Sequence, residues 1–338
     1  MRAFVASLLL IVVAASAAAG AAWWEDWNFR SSGPAKSDTV VLIKPGAPVR
    51  SIATSLADAG AVRNPLLFRL GVMRRGKTTA LKAGEYQVPA AASMAEIMDM
   101  LIEHKAIQHR ITVAEGLTSD MALAVVNADP VLEGAATVAP EGSLLPETYL
   151  FERGTTRAEI LSRMHKAQEA VLSELWPKRK QGLPVQTVED ALKLASIIEK
   201  ETAIASERPR IAGVFVNRLK NGMRLESDPT IIYGLTKGVA LGHSLRQSEL
   251  DTPNPYSTYQ IDGLPPTPIC NPGRDAIAAV LNPPDSEELF FVADGSGGHV
   301  FAKTAAEHSR NVAQWRKLQR AQNGQSGPAP VPGSDGLR

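Results

Sequence analysis

Cysteine is nearly absent. Cys270 stands alone in 338 residues, which excludes an internal disulfide framework and a cysteine-based zinc site. It carries no information about redox compartment. Histidine is also scarce: the six are scattered and form no HExxH or other close pair, so no metal site is expected. An excess of one charge is missing too. Thirty-six Lys and Arg meet 35 Asp and Glu for a net charge of +1, and the longest basic run is Lys178-Arg179-Lys180. A nucleic-acid binder carries a basic excess or patch, so no nucleic-acid partner is expected. The Gly-rich run from Gly295 to Gly298 lacks the strand-to-helix context and the lysine of a phosphate loop.

What is present fits a globular protein, with 44% hydrophobic and 21% charged residues and room for two folded domains or a domain plus a smaller module. One apolar stretch stands out. Arg2 precedes an uncharged segment from Ala3 to Trp24, about 30 Å long as a helix and enough to span a bilayer. Arg2 on the short side and Trp23, Trp24 and Trp27 at the far end suit a positive-inside orientation and an aromatic belt. The competing expectation is a cleaved signal peptide, since Ala17-Ala18-Ala19 offers small residues for cleavage. Both readings put the rest of the chain outside the cytoplasmic membrane. The first is adopted: a single-pass anchor over 1–27 and a polar linker over 28–37.

From Thr39 onward a β-branched run, a Pro or Gly turn and an amphipathic helix recur. The copies begin at Thr39–Ile43, Tyr86–Val88 and Ile111–Val113, and they indicate a small α/β module over 38–112. Residues 113–320 read as a mainly helical domain. Thr155 to Trp176 is one long helix. Thr187-x-x-Asp190 opens another with a capping-box pattern. Arg208 to Asn221 follows, with Gly222 as C-cap, and Asp228-Pro229 reads as an N-cap and first-turn proline. Thr252 to Gly273 is a proline-rich loop. Leu289–Ala293 and His299–Ala302 flank a glycine-rich turn and predict a β-hairpin, and Thr304 to Arg320 closes the domain. Residues 321–338 are expected to be disordered. The fold class is therefore α+β: an N-terminal transmembrane helix, a small α/β module and a mainly helical domain with a hairpin.

The segment with the most chemical content is Ala195–Thr202, ASIIEKET. On a helical wheel Ala191, Leu192, Leu194, Ala195 and Ile198 make one apolar face, with Glu199 and Glu201 on its opposite edges. Carboxylates at i and i+2 do not face each other, so the two are no ready-made acid/base pair. A carboxyl at the edge of an apolar face is partly desolvated, which raises its pKa and suits it to act as a general acid. The alternative is that both glutamates solvate the helix end beside Lys200 or Arg208. Geometry alone does not choose between the two glutamates.

That segment, together with Ser206–Arg208, Val214–Leu219 (VFVNRL), Gly222–Leu225 and Ser227–Gly234 (SDPTIIYG), resembles the endolytic murein transglycosylase (MltG, YceG-like) family. Thr252-Pro253, Tyr256–Tyr259, Gly263–Pro266, Phe291–Gly295 and Gly297–His299 continue the resemblance in order, and it extends upstream to Leu42 and Lys82–Tyr86. The resemblance implies a membrane helix, a LysM-like module before the catalytic domain, no cofactor, and catalysis by the second glutamate of the EKET signature, here Glu201. Glu199 is a possible support. Asn217, Arg218, Asp228, Tyr233 and Tyr259 are the candidate substrate-binding residues, each with a structural alternative such as packing or capping.

The implied reaction is lytic: cleavage of the MurNAc–GlcNAc β-1,4 bond of peptidoglycan strands to leave 1,6-anhydro-MurNAc ends. The resemblance further implies termination of nascent strands at the cytoplasmic membrane, with peptidoglycan synthases as partners. Such a lyase uses the muramoyl 6-hydroxyl as nucleophile, so it needs one carboxyl where a conventional glycosidase needs two. Two alternatives stand beside it: a non-catalytic glycan-binding scaffold for wall synthesis, and a pyridoxal-phosphate lyase with Lys200 as the Schiff-base residue.

Overall fold

The computed structural model describes residues 2–325 and is a helix-rich mixed α+β protein. In chain order the elements are α1 (Arg2–Arg30), β1 (Thr39–Ile43), α2 (Val49–Asp58), α3 (Pro65–Arg74), β2 (Gly84–Val88), α4 (Met94–Glu103), β3 (His109–Thr112), α5 (Ser119–Ala128) and β4 (Thr148–Phe151). There follow α6 (Arg157–Leu175) with a 3-10 turn at Trp176–Lys178, α7 (Val188–Glu201), α8 (Arg208–Lys220), α9 (Asp228–Thr236), α10 (Gln247–Asp251), α11 (Arg274–Leu281), β5 (Phe290–Ala293), β6 (His299–Ala302) and α12 (Ala305–Gln325). The strands pair two by two: β1 with β2, β3 with β4, β5 with β6.

The chain divides into two compact units. The first holds the residues up to Ile111 plus Val131–Glu133 and Leu150–Thr155. Its sheet is antiparallel, with Thr39 opposite Val88 and Ile43 opposite Gly84. Period-2 alternation sends Val41 and Ile43 inward while Val40 and Leu42 stay exposed. The core joins these strand residues to Ile52 and Leu56 of α2, Phe68 and Val72 of α3, Tyr86, and Ile97 and Leu101 of α4. Two helix starts are set by local chemistry. Asn64 accepts from the N–H groups of Leu66 and Leu67 ahead of Pro65, and Ser93 and Glu96 form a reciprocal capping box.

The first unit corrects one expectation. Residues 28–37 are not a free polar linker, because α1 continues to Arg30 and Phe29 is 1% exposed within this core. Phe29 stacks on Phe68, and Gly33 and Ala35 exchange backbone hydrogen bonds with Ala91.

The second unit contains α5 to α12 with β5 and β6. α7, α8 and α11 pack on one another around Leu194, Ile197, Ile198, Ile211, Phe215, Ile277 and Val280. The hairpin β5–β6 is antiparallel, with Phe290 opposite Ala302 and Ala293 opposite His299, and α12 packs on it. α12 runs on to Gln325, past the expected start of a disordered tail at 321, and the rest of that expected tail lies outside the described residues.

Candidate active site

The site begins with the end of α7. Thr187 accepts from the Asp190 N–H while the Asp190 carboxylate accepts from the Thr187 N–H, which starts the helix. Ala191, Leu194, Ala195, Ile197 and Ile198 are fully buried and fix the rotation of the helix about its axis. Its last residue, Glu201, is half-buried and lies at the negative end of the helix dipole, where a carboxylate is disfavoured.

Ser227 Oγ donates to Glu201 Oε1 over 2.5 Å. Burial raises the Glu201 pKa to about 7. The Ser227 hydrogen bond opposes this, Asp228 adds to it by like-charge repulsion, and His299 and Arg218 pull it down. A carboxyl titrating near 7 can both give and take a proton at neutral pH.

Ser227 is itself rigidly held. Its N–H donates to Thr258 Oγ1, its carbonyl accepts from Thr230 Oγ1, and the two threonine hydroxyls share a hydrogen bond of 3.0 Å. All three residues are at most 1% exposed. Ser227, and not Asp228, occupies the N-cap position of α9, and its hydroxyl makes no capping bond because it is turned toward Glu201. The preceding residue, Glu226, has φ +52°, a conformation that a side-chain-bearing residue adopts at a cost of order 1–3 kcal/mol.

Glu201 opens onto a cleft of about 360 Å³ lined in part by Arg218, Glu226, Asp228, Tyr259, Phe291 and His308. Asp228 Oδ1 accepts from the Tyr259 hydroxyl at 2.8 Å, and burial with the Asp228 charge pushes the Tyr259 pKa up. Asp228, a substrate-binding candidate from sequence, lines this cleft and gives it another carboxylate beside Glu201. Arg218 is 7% exposed and committed to structure: it donates to the carbonyls of Leu289, Arg224 and Leu225 and pairs with Glu226 at 3.0 Å. It ties α8, the strained turn and the residue before β5 together at the cleft wall. His308 stacks on Phe290, and burial followed by Arg218 lowers its pKa.

Four residues named from sequence lie elsewhere. Glu199 accepts from Arg208 at 2.8 Å and from the Gly273 N–H at 2.9 Å, away from the cleft. Burial pushes its carboxyl up against the pull of the Gly273 N–H and Arg208. A Cβ on Gly273 would come within 1.9 Å of the Glu115 carboxylate, so any larger residue there would displace the Glu115 side chain. Asn217 donates to the carbonyls of Ser286 and Glu288 and lines a separate cleft of about 630 Å³ with Lys180, Lys220 and Lys303. Tyr233 is buried, its hydroxyl donating to Glu141. Lys200 turns to the Gly116 carbonyl. Sequence reasoning missed Ser227, Glu226 and His308. The Ser-Asp-Pro order carried a signal for Ser227, and the i, i+4 spacing of His308 and Val312 on α12 placed both on one helix face.

With this geometry in place, the comparisons with known proteins are specific. Residues 41–314 match the YceG-like family. The chain is 30% identical to a protein of Streptococcus pneumoniae named endolytic murein transglycosylase, over 83% of this chain and 59% of that protein. It is 36% identical to a Bacillus subtilis protein of the same name, over 50% of this chain and 46% of that one. The chain thus covers less than two thirds of the length of these relatives. A crystal structure of a yceG-like protein from Listeria monocytogenes matches with a TM-score of 0.50 and 29% identity, over 81% of this chain and 99% of that one. By extent and order of match, this chain belongs to the YceG-like family.

Proposed function

We propose that this chain is a lytic transglycosylase that cleaves the MurNAc–GlcNAc β-1,4 bond of peptidoglycan strands, with Glu201 as its acid/base. One observation carries the reading: a half-buried carboxyl titrating near 7, hydrogen-bonded by a buried serine, opens onto a polar cleft. The name borne by the curated relatives agrees with it.

In the proposed step, protonated Glu201 gives its proton to the glycosidic oxygen as the bond from muramoyl C1 to that oxygen breaks. The GlcNAc end leaves as an alcohol. The Glu201 carboxylate then takes the proton of the muramoyl 6-hydroxyl as O6 bonds to C1. The product is a 1,6-anhydro end, no water is consumed and Glu201 is protonated again. Asp228, held by Tyr259, lies where negative charge favours the cationic character that develops at C1.

The presence of Asp228 favours a second reading, hydrolysis by a carboxylate pair. Mass spectrometry of glycan strands digested by the purified protein separates the two, because anhydro ends are one water lighter than hydrolysed ends. Hydrolysed ends alone would sink the lytic mechanism, and unchanged strands would leave a glycan-binding scaffold.

The first unit is proposed to be the LysM-like glycan-binding module. Support comes from its strand-helix order and a cleft of about 590 Å³ lined by Leu42, Lys44, Gly84, Glu152 and Arg153. α1, apolar and exposed from Phe4 to Val13, is proposed as a single-pass anchor in the cytoplasmic membrane, with both units on the outer side. That placement puts the enzyme where nascent strands emerge and where synthases work.

A further inference from the structure

The outward face of α3 does not suit water. Its inner face buries Phe68, Gly71 and Val72. Outward, at i, i+4 and i+7, stand Leu66, Leu70 and Met73, exposed by 50%, 43% and 53%, where a solvent-facing helix carries polar residues. The surrounding segment is also unusually basic. Between Ala59 and Gly84 there is no Asp or Glu, while Arg63, Arg69, Arg74, Arg75, Lys77 and Lys82 fall within it. An exposed apolar stripe with flanking cations is the pattern of a helix that contacts a lipid surface.

Its position points the same way. α3 runs antiparallel beside the last turns of α1, and successive contacts fix the level it reaches. Phe68 stacks on Phe29 at 6.1 Å. Gly71 lies against the same ring, where a Cβ would come within 2.3 Å. Arg74 donates to the Ala22 carbonyl at 3.0 Å and to Glu25 at 2.7 Å. Each step toward the end of α3 is therefore a step back along α1 toward its apolar run. Met73 and Arg74 arrive at the level of the exposed Trp23, Trp24 and Trp27. Glu25 and Asp26 pair with Arg74, Arg75 and Arg30, while Lys77 stays exposed beyond the helix end.

We propose that the end of α3 and the turn after it dock on an anionic phospholipid bilayer, with Leu70 and Met73 entering the acyl boundary and Arg69 and Lys77 meeting lipid phosphates. The proposal rests on reading α1 as the anchor in that same bilayer. Docking gives the first unit a second membrane contact, which holds it at the surface.

The test uses the full chain in nanodiscs of phosphatidylglycerol with phosphatidylcholine, or of phosphatidylcholine alone, with and without brominated acyl chains. A polarity-sensitive fluorophore is attached at Met73→Cys, since the one native cysteine, Cys270, is fully buried. Bromolipid should quench the fluorophore, and more strongly in the anionic discs. Arg69→Gln with Lys77→Glu should remove that lipid preference, roughly fivefold in docked population for each cation engaged. Native tryptophan emission reports the anchor independently. A quenched tryptophan signal beside an unquenched Met73 probe overturns docking and leaves the anchor standing. Absence of both signals overturns the anchor and the proposal with it. Equal quenching in the two lipid compositions overturns the assignment to an anionic surface.

Discussion

Glu201 sits where a carboxylate is destabilised, and its neighbours pull its titration in opposite directions. The Ser227 hydroxyl stabilises the charged form and Asp228 destabilises it. Opposite shifts follow for the two substitutions. The acid step needs Glu201 protonated, so activity falls as pH rises through about 7. Ser227→Ala removes a donor to the carboxylate and should move that alkaline limb to higher pH, with a lower maximum because the carboxyl loses its positioning bond. Asp228→Asn removes the repelling charge and should move the limb to lower pH. Profiles of kcat/KM against pH for anhydro-product release check both, and shifts of the same sign would contradict the assigned causes.

Glu201→Gln should abolish turnover, since loss of general acid/base help alone costs about 10²- to 10⁴-fold. It should also stabilise the fold above pH 7. The folded pKa is raised from 4.5 to about 7, so the contribution of this group is fully present below 4.5 and is lost as pH rises through 7. The loss is at most about 3 kcal/mol, and less in a cleft open to solvent. Melting curves of wild type and variant should therefore diverge between pH 5 and 8. A Gln variant that is less stable than wild type at pH 8 would show that the carboxylate is not strained there.

At the scale of elements, α7 delivers Glu201 and its start is chemically defined. Thr187→Ala should cost about 1 kcal/mol through loss of the cap and leave turnover at 25 °C unchanged. Ile277→Ala in α11, fully buried between α7 and α8, should cost about 2–5 kcal/mol. Chemical denaturation of each variant, followed by activity at a temperature where it remains folded, tests this difference.

These helices also show what sequence made legible. α7 and α4 carry a cap and an apolar stripe, both local patterns, and both are visible in the chain. α11 went unread because it is only eight residues long and follows directly on a proline-rich loop. α3 escaped because its outer positions are as apolar as its inner ones. In the site, the edge position of Glu201 was readable from the wheel. Its bond to Ser227, 26 positions away in sequence, was hidden because the serine sits at a helix start, where a cap is the ordinary reading. Asn217 and Arg218 lie side by side in sequence, yet α8 turns the first to the separate cleft and the second to the Glu201 cleft.

For the whole molecule, the two cores are separate clusters, one around Leu56, Phe68, Tyr86 and Ile97 and the other around Leu194, Ile197 and Ile277. A chain with two cores need not unfold as one two-state system. Leu56→Ala, at a fully buried position, should lower one transition by about 2–5 kcal/mol and leave the other where it was. Leu194→Ala should do the reverse. Calorimetry resolves the two, and a single transition moved equally by both variants would show that the cores unfold together.

The end of α1 belongs to this test as well, because Phe29 is part of the first core, with Phe68 stacked on it and Arg75 over its ring at 3.9 Å. A soluble form cut before Glu25 keeps that ring together with the carboxylates that pair with Arg74 and Arg75. A form cut after Arg30 loses all three, and removal of a buried aromatic costs about 3–5 kcal/mol by itself. The longer form should keep both transitions, while the shorter should lose or strongly lower the one assigned to the first unit and keep the other. Identical melting of the two forms would mean that Phe29 contributes no packing energy to the first unit.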